Sequence, residues 1–423
     1  MNLAVFMPEA VQKGIGFALI VTGRSEGPWP SNQYEEKGLV GPEEAHSGTK
    51  RSPHLLDVTM FWSPSSGGVA RYLRSKRDWI ARCSHWRHTI VVPGSSTAET
   101  LGFAAPLLPF SGGYRFPLRR AATARLIAQQ QPDLIEVGDP YRCAWSALDA
   151  GRRLGVPVTA FYHSNVESLA GIWLPRARPV VRRYLRHLYQ HFDAVFAPSQ
   201  WAVDALRSLG LDNAVFQPHG VDCNLFHPRH HDPAWRGELG FNPADVVLLY
   251  AGRFAPEKNL DRMAAAVDRL GPPYSLVAIG DGARPPRGDR VRVLPFQPDA
   301  SALARALASA DIFVHTGDQE TFGLAPLEAL ACGTPVIARA SAGLTDLIDG
   351  RAAFGVERSD VSALAEAIAE IAPMAASMRV DARARAIEFN ADRAFARLFN
   401  RYAALCASAP AVTARVRERS YAA

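Results

Sequence analysis

Short apolar runs alternate with longer stretches of helical period along most of the chain. In the first half, runs at 55–62, 89–92, 134–137, 158–162 and 194–197 read as strands, with helical stretches at 69–82, 118–130, 141–154, 178–190 and 200–209 between them. The second half repeats the pattern. Strands are predicted near 246–251, 275–279, 291–294, 312–315, 335–338 and 352–355, and helices near 258–270, 301–309, 323–331, 359–372 and 391–406. Strands apolar on both faces, each followed by a helix, belong to parallel sheets covered by helices. Two such series predict an α/β protein of two doubly wound, Rossmann-like domains, and 423 residues suffice for two cores.

The boundary falls in 218–243, where Pro218, Pro228, Pro233 and Pro243 interrupt any period. The expected domains are therefore 53–218 and 219–390. Residues 391–423 form a last helix, expected to cross back to the first domain, and a tail. Residues 1–52 are polar and aperiodic and read as a weakly ordered extension. An apolar piece at 14–23 follows Lys13 in the manner of a signal peptide, but Glu9 precedes it and no small-residue cleavage site follows. Doubly wound sheets bind ligands at the carboxyl ends of their strands, so the site is expected in the cleft between the domains.

Composition narrows the class. Hydrophobic residues make up 48% and charged residues 21%, as in soluble globular proteins. Five distant cysteines without a Cys-x-x-Cys pair predict reduced thiols, a cytoplasmic setting and no zinc site. No apolar run is long enough to span a bilayer. The net charge of +6 is uneven: residues 53–225 hold 19 Lys and Arg against 12 Asp and Glu, and the remainder nearly balances. Arginines Arg176, Arg178, Arg182, Arg183 and Arg186 surround Val180, Tyr184 and Leu188 at helical spacing. This segment fits a basic amphipathic helix at an anionic membrane surface, or equally a core helix with a solvated arginine face. No nucleic-acid partner is expected, because no binding motif and no basic stripe with interleaved aromatics occurs.

The candidate chemistry sits at strand ends. Glu320 stands in the loop after strand 312–315, and Glu328 lies inside the helix that follows. Between them the amides of Phe322, Gly323 and Leu324 open that helix, where orphan N–H groups and the helix dipole favour an anion. Taken singly, each glutamate reads more readily as a solvated helix-surface charge. Strand 246–251 runs into Gly252, Arg253 and Lys258, two cations suited to a diphosphate; a pair of surface cations is the plainer alternative. Lys258 is placed in the first turn of the next helix, where the dipole disfavours a cation. Gly280 and Gly282 after strand 275–279 would let a nucleotide approach closely, although tight turns alone explain most such glycines. Gly67 and Gly68 open the first helix as a second amide nest. His163 ends strand 158–162, where a doubly wound fold places function; a structural histidine is the alternative. The dinucleotide fingerprint Gly-x-Gly-x-x-Gly and the P-loop are both missing, which argues against a dehydrogenase or a P-loop enzyme.

Together these segments resemble the retaining glycosyltransferases of family 4 (glycosyl transferases group 1), which have the GT-B fold. The resemblance rests on Glu320 to Glu328 as Glu-x7-Glu, Ala-Gly-Arg-Phe-Ala-Pro-Glu-Lys-Asn at 251–259, His-Gly-Val-Asp at 219–222, Ala-Pro-Ser at 197–199 and Gly-Asp-Gly at 280–282. It implies a nucleotide-sugar donor and a saccharide or glycolipid acceptor. Arg253 and Lys258 would bind the donor diphosphate, and Phe322, Gly323 and Leu324 would offer amides. Glu320 would hold sugar hydroxyls and Glu328 the ribose. His163 would touch the transferred sugar, and Gly68 would lie beside the phosphate and the acceptor. The resemblance leaves a UDP- or a GDP-sugar as donor, and the segments 163–167 and 138–141, which resemble those of mannosyltransferase-like members, give a hint toward GDP-mannose. No Asp-x-Asp occurs, so transfer without a metal or other cofactor is expected. The competing readings are a GT-B nucleotide-sugar epimerase or hydrolase, and a non-catalytic partner in glycan synthesis.

Overall fold

Among the described residues, thirteen strands are arranged in two sheets, and every strand pair within them is parallel. The structure is a computed structural model and describes residues 51–62, 67–107, 113–168, 175–358 and 360–408. The predicted N-terminal extension up to residue 50, residues 63–66 before Gly67 and the predicted tail from 409 lie outside the described residues.

The first sheet is built from β1 (His54–Val58), β2 (Arg87–Pro93), β3 (Leu101–Phe103), β4 (Leu134–Val137), β5 (Val158–Phe161), β6 (Ala194–Ala197) and β7 (Ala214–Phe216), in the order β3-β2-β1-β4-β5-β6-β7. The second is built from β8 (Val246–Ala251), β9 (Tyr274–Gly280), β10 (Val291–Pro295), β11 (Ile312–His315), β12 (Val336–Arg339) and β13 (Ala353–Val356), in the order β10-β9-β8-β11-β12-β13. Strands β1, β4, β5 and β6 are buried at every position, which is why they read as short, mainly apolar runs; Asp57 on β1 and Glu136 on β4 are buried polar exceptions. The direction of winding reverses between β1 and β4 in the first sheet and between β8 and β11 in the second. Such switch points leave a crevice at the carboxyl ends of the strands.

Helices α1 (Gly68–Cys83), α2 (Arg120–Gln129), α3 (Arg142–Leu154), α4 (Arg178–Tyr189) and α5 (Gln200–Arg207) accompany the first sheet. The short α6 (Pro233–Glu238), then α7 (Leu260–Leu270), α8 (Ala300–Ser309), α9 (Leu324–Ala331), α10 (Val361–Ile371) and α11 (Arg379–Glu388) accompany the second. The last helix, α12 (Ala391–Ser408), packs on the first sheet: Phe395, Leu398, Phe399 and Tyr402 share a core with Leu55, Tyr72, Trp79 and Trp86.

Beneath that core lies a buried polar cluster. The Lys76 ammonium donates to Asp57 at 2.9 Å and to Glu136 at 2.5 Å, and the Tyr402 hydroxyl donates to the other Glu136 oxygen at 2.5 Å. The His88 ring lies 2.6 Å from Asp57. One cation thus ties α1, β1, β4 and α12 together.

The basic segment forms α4, whose apolar face is spent on the core. Leu185, Leu188 and Tyr189 are buried, Tyr184 donates to the Pro140 carbonyl, and Arg178 and Arg182 both pair with Glu167. Of the three apolar positions singled out by spacing, Val180 alone is exposed, at 58%.

Candidate active site

Several segments meet where the two switch points face each other. From the second sheet come 252–259 after β8 and 316–323 after β11. From the first come Gly67 and Gly68 at the start of α1 and the segment around His163 after β5. Lys258 and Glu320 form an ion pair, and the His315 ring at the end of β11 is 3.2 Å from the same Glu320 oxygen. Burial alone would raise Glu320, but Lys258 and His315 hold its carboxyl well below the usual range. It is therefore an anion throughout the physiological range. Arg253 reaches outward, 56% exposed, and pairs loosely with Glu257 at 3.3 Å.

Lys258 is not in the first turn of α7, as the sequence suggested. It ends a separate short turn at Pro256–Lys258, and Asn259, with φ of 54°, separates it from the helix. The helix dipole is therefore no reason for its placement; Glu320 is.

Helix α9 begins at Leu324 with Gly323 as its cap, and no side chain occupies the cap position. Gly323 adopts φ of 103°, a conformation that glycine takes without strain. The amide end of α9 is thus formed by backbone. Leu324 faces the other sheet: a Cβ on Gly68 would sit 3.6 Å from its side chain. Glu328, one turn further on, is buried. Both its oxygens accept from Nη1 of Arg71 on α1, at 2.6 Å.

Two more polar contacts join the same halves. Thr321 donates to the His163 carbonyl at 3.0 Å, and the Asp346 carboxylate accepts from the Gln200 amide at the start of α5, at 2.8 Å. His163 itself stacks on Phe161 at 4.6 Å and lies parallel to the ring of His219 at 5.5 Å, with Tyr72 edge-on to both histidines. Burial, then the neighbouring His219 and Lys76, push His163 well down; burial and Lys76 bring His219 to about 3. Both rings are neutral at physiological pH.

The glycines at strand ends have a structural reason of their own. A Cβ on Gly280 would lie 1.9 Å from the Gly252 carbonyl oxygen, and one on Gly282 would lie 2.4 Å from that of Phe254. The loops after β8 and β9 touch backbone to backbone, so nucleotide approach is not needed to explain these residues. Gly67 has open space around its Cβ position. The structure brings Lys258 and Glu320 into contact, joins Glu328 to the first sheet, and sets His163 one residue-contact from Thr321.

The sequence pattern did not mark Arg71 or His315, and it marked His219 only as part of the 219–222 motif, with no role. His315 ends a strand, the same signal that marked His163. Arg71 lies three residues after Gly68, but nothing in its spacing points to Glu328. Among the described residues, no group of three or more His, Cys, Asp or Glu is arranged to hold a metal ion.

Two facing doubly wound sheets with this site between them define a GT-B glycosyltransferase. Residues 66–225 match the family described as Glycosyltransferase Family 4, and residues 231–389 match Glycosyl transferases group 1. The GDP-mannose-dependent alpha-(1-6)-phosphatidylinositol dimannoside mannosyltransferase of Mycobacterium tuberculosis is 32% identical over 317 residues, covering 70% of this chain and 81% of the relative. Among solved structures, sucrose-phosphate synthase from Thermosynechococcus elongatus has a TM-score of 0.72 at 22% identity, covering 85% of this chain and 100% of that one. Anabaena HepE in complex with UDP has a TM-score of 0.66 at 19% identity, covering 83% and 100%. The chain belongs to the family 4 glycosyltransferases.

Proposed function

We propose that this enzyme moves a hexose from a nucleoside-diphosphate sugar to a saccharide or glycolipid acceptor, with retention of anomeric configuration and without a metal. The observation that carries the reading is the convergence at one switch point of Lys258, Glu320 and the amide end of α9, with Arg253 beside them and Glu328 one turn deeper. Lys258 and Arg253 meet the departing diphosphate, and the amides of Phe322, Gly323 and Leu324 share its charge. Preorganised donors of this kind stabilise charge as it develops. A diphosphate that draws Lys258 leaves Glu320 with His315 and free to accept hydroxyls of the transferred sugar. Neutral His163 offers that sugar a hydrogen bond, and Glu328 accepts from the ribose. In retention by front-face attack, the bond from the anomeric carbon to the diphosphate breaks, the acceptor oxygen bonds the same face, and the acceptor's proton passes to the leaving phosphate.

The mycobacterial relative uses GDP-mannose by its name, and Anabaena HepE was solved with UDP; we place GDP-mannose first. A glycolipid acceptor fits the excess positive charge of residues 53–225. Exposed Val180 and Leu118, near arginines of α4 and α2, suit a peripheral position at the cytoplasmic face of a membrane. Among the described residues no single helix is long and apolar enough to cross one. Co-sedimentation with anionic liposomes at low salt tests this; no binding there removes the membrane from the account.

Transfer assays with GDP-mannose and UDP-glucose, with and without EDTA, test the chemistry, and proton NMR of the product reads the anomer. An α-linked product formed in EDTA is expected. Loss of turnover in EDTA would refute the metal-free proposal. An epimerised or hydrolysed donor with no acceptor product would favour the epimerase or hydrolase reading.

A further inference from the structure

We propose that Arg71 is a positioning residue of the donor site, one that holds the Glu328 carboxylate for the donor's ribose and makes that grip conditional on the two sheets being closed on each other. The inference rests on the nucleotide-sugar reading above.

Arg71 lies in the first turn of α1 and belongs to the first sheet's half, whereas Glu328 belongs to α9 of the second. A single nitrogen, Nη1, sits 2.6 Å from both carboxylate oxygens. The Glu328 side chain is 4% exposed, and among the described residues Arg71 is its one ion-pair partner. A carboxylate offers about four acceptor sites. One bridging nitrogen therefore leaves room for the two hydroxyls of a vicinal diol. Arg71 orients the carboxylate without using it up.

The pair spans the seam that Thr321 to His163 and Asp346 to Gln200 also span. When the seam opens, Glu328 loses its cation. Burial pushes this carboxyl up and Arg71 opposes that shift. Cys332, which caps the end of the same helix, also faces it; burial pushes its thiol up to about 12, so it stays neutral. Arg71 therefore favours the ionised, ribose-ready form of Glu328 when α1 and α9 are together. Closure and nucleotide binding become linked in both directions, as any such coupling must be.

The test is calorimetric titration of the full chain with GDP and UDP at pH 6.5 and 8.5. It is applied to wild type, Arg71→Gln, Arg71→Lys, Glu328→Gln and the Arg71→Gln/Glu328→Gln double variant. Comparing each variant with wild type at the same pH cancels the titration of the nucleotide itself. Arg71→Gln is expected to bind about 30-fold more weakly at pH 6.5, the loss typical of breaking a buried charge pair. It should recover part of that loss at pH 8.5, because Glu328, without its cation, takes up a proton as pH falls. Arg71→Lys should lie between, and in the Glu328→Gln background Arg71→Gln should add less than about twofold. A merely structural role would weaken binding equally at both pH values and in both backgrounds, and that result overturns the proposal, as does wild-type affinity in Arg71→Gln. If Arg71→Gln does not fold, wild-type affinity and pH profile in Arg71→Lys alongside an intact fold would overturn it equally. Failure of the wild type to bind either nucleotide would instead overturn the donor reading beneath it.

Discussion

Lys258 and Glu320 hold each other, so a change at either uncovers the other. Lys258→Ala removes a cation aimed at the diphosphate and should lower kcat/KM by about 2–4 kcal/mol in transition-state terms. Steady-state kinetics check this, and a loss of only a few-fold would remove Lys258 from the diphosphate. Glu320→Gln should depress kcat while leaving nucleotide affinity largely intact, because this carboxylate is assigned to the sugar. His219 and His163 yield a stability prediction. Their folded values lie below the unfolded 6.5, about 3 for His219. The stability tied to their neutral state is therefore full above pH 6.5 and is lost as pH falls toward 3. At pH 5 the loss is about 2 kcal/mol for His219. Urea unfolding at pH 7.5 and pH 5 measures it, and His219→Phe should flatten that slope. An unchanged slope would mean that His219 is protonated in the folded state. At this scale the sequence marked residue types and strand-end positions well. It could not mark partners: Arg71 and Glu328 are 257 residues apart, and no local spacing carries that contact.

The elements that were legible are those buried on both faces. Strands β1, β4, β5 and β6 leave a mainly apolar signature, interrupted by Asp57, Glu136 and Thr159, because helices cover the sheet on both sides. The three-residue strands β3 and β7 lie at the two edges of the first sheet and are too short to leave one. Helix α11 went unread because only Ala382, Ala386 and Arg385 are buried on it, which is no apolar stripe. The arginine-rich α4 was legible as amphipathic, but its apolar face looks inward. The Lys76 cluster fastens four elements through one buried ammonium. Lys76→Met would leave Asp57 and Glu136 buried without their cation, and should cost about 3–5 kcal/mol of stability. Chemical denaturation measures it; a loss below about 1 kcal/mol would mean the cluster is solvated. Gly280→Ala should also destabilise, by about 1–3 kcal/mol, since its Cβ meets the Gly252 carbonyl and must push the loop that carries Arg253 and Lys258. A variant of unchanged stability and nucleotide affinity would show that this loop yields freely.

On the scale of the whole molecule, each sheet contributes what the other lacks. The second brings the cations, the glutamates and the amide end of α9; the first brings His163, its aromatic surroundings and Arg71. The two-sheet plan follows from the strand and helix alternation, and the family follows from the motifs and the relatives. Their joining does not follow from either. It rests on Arg71 to Glu328, Thr321 to His163 and Asp346 to Gln200, and on α12 packing against the first sheet after the chain has completed the second. The central claim is hexosyl transfer from a nucleotide sugar. Its most direct test is incubation of the enzyme with GDP-mannose and extracted membrane glycolipids, followed by mass spectrometry of the lipids and assay of released GDP. The account predicts a lipid product one hexose heavier, with GDP released in equal amount. No product from GDP-mannose or from UDP-sugars, or nucleotide released without transfer, would contradict it.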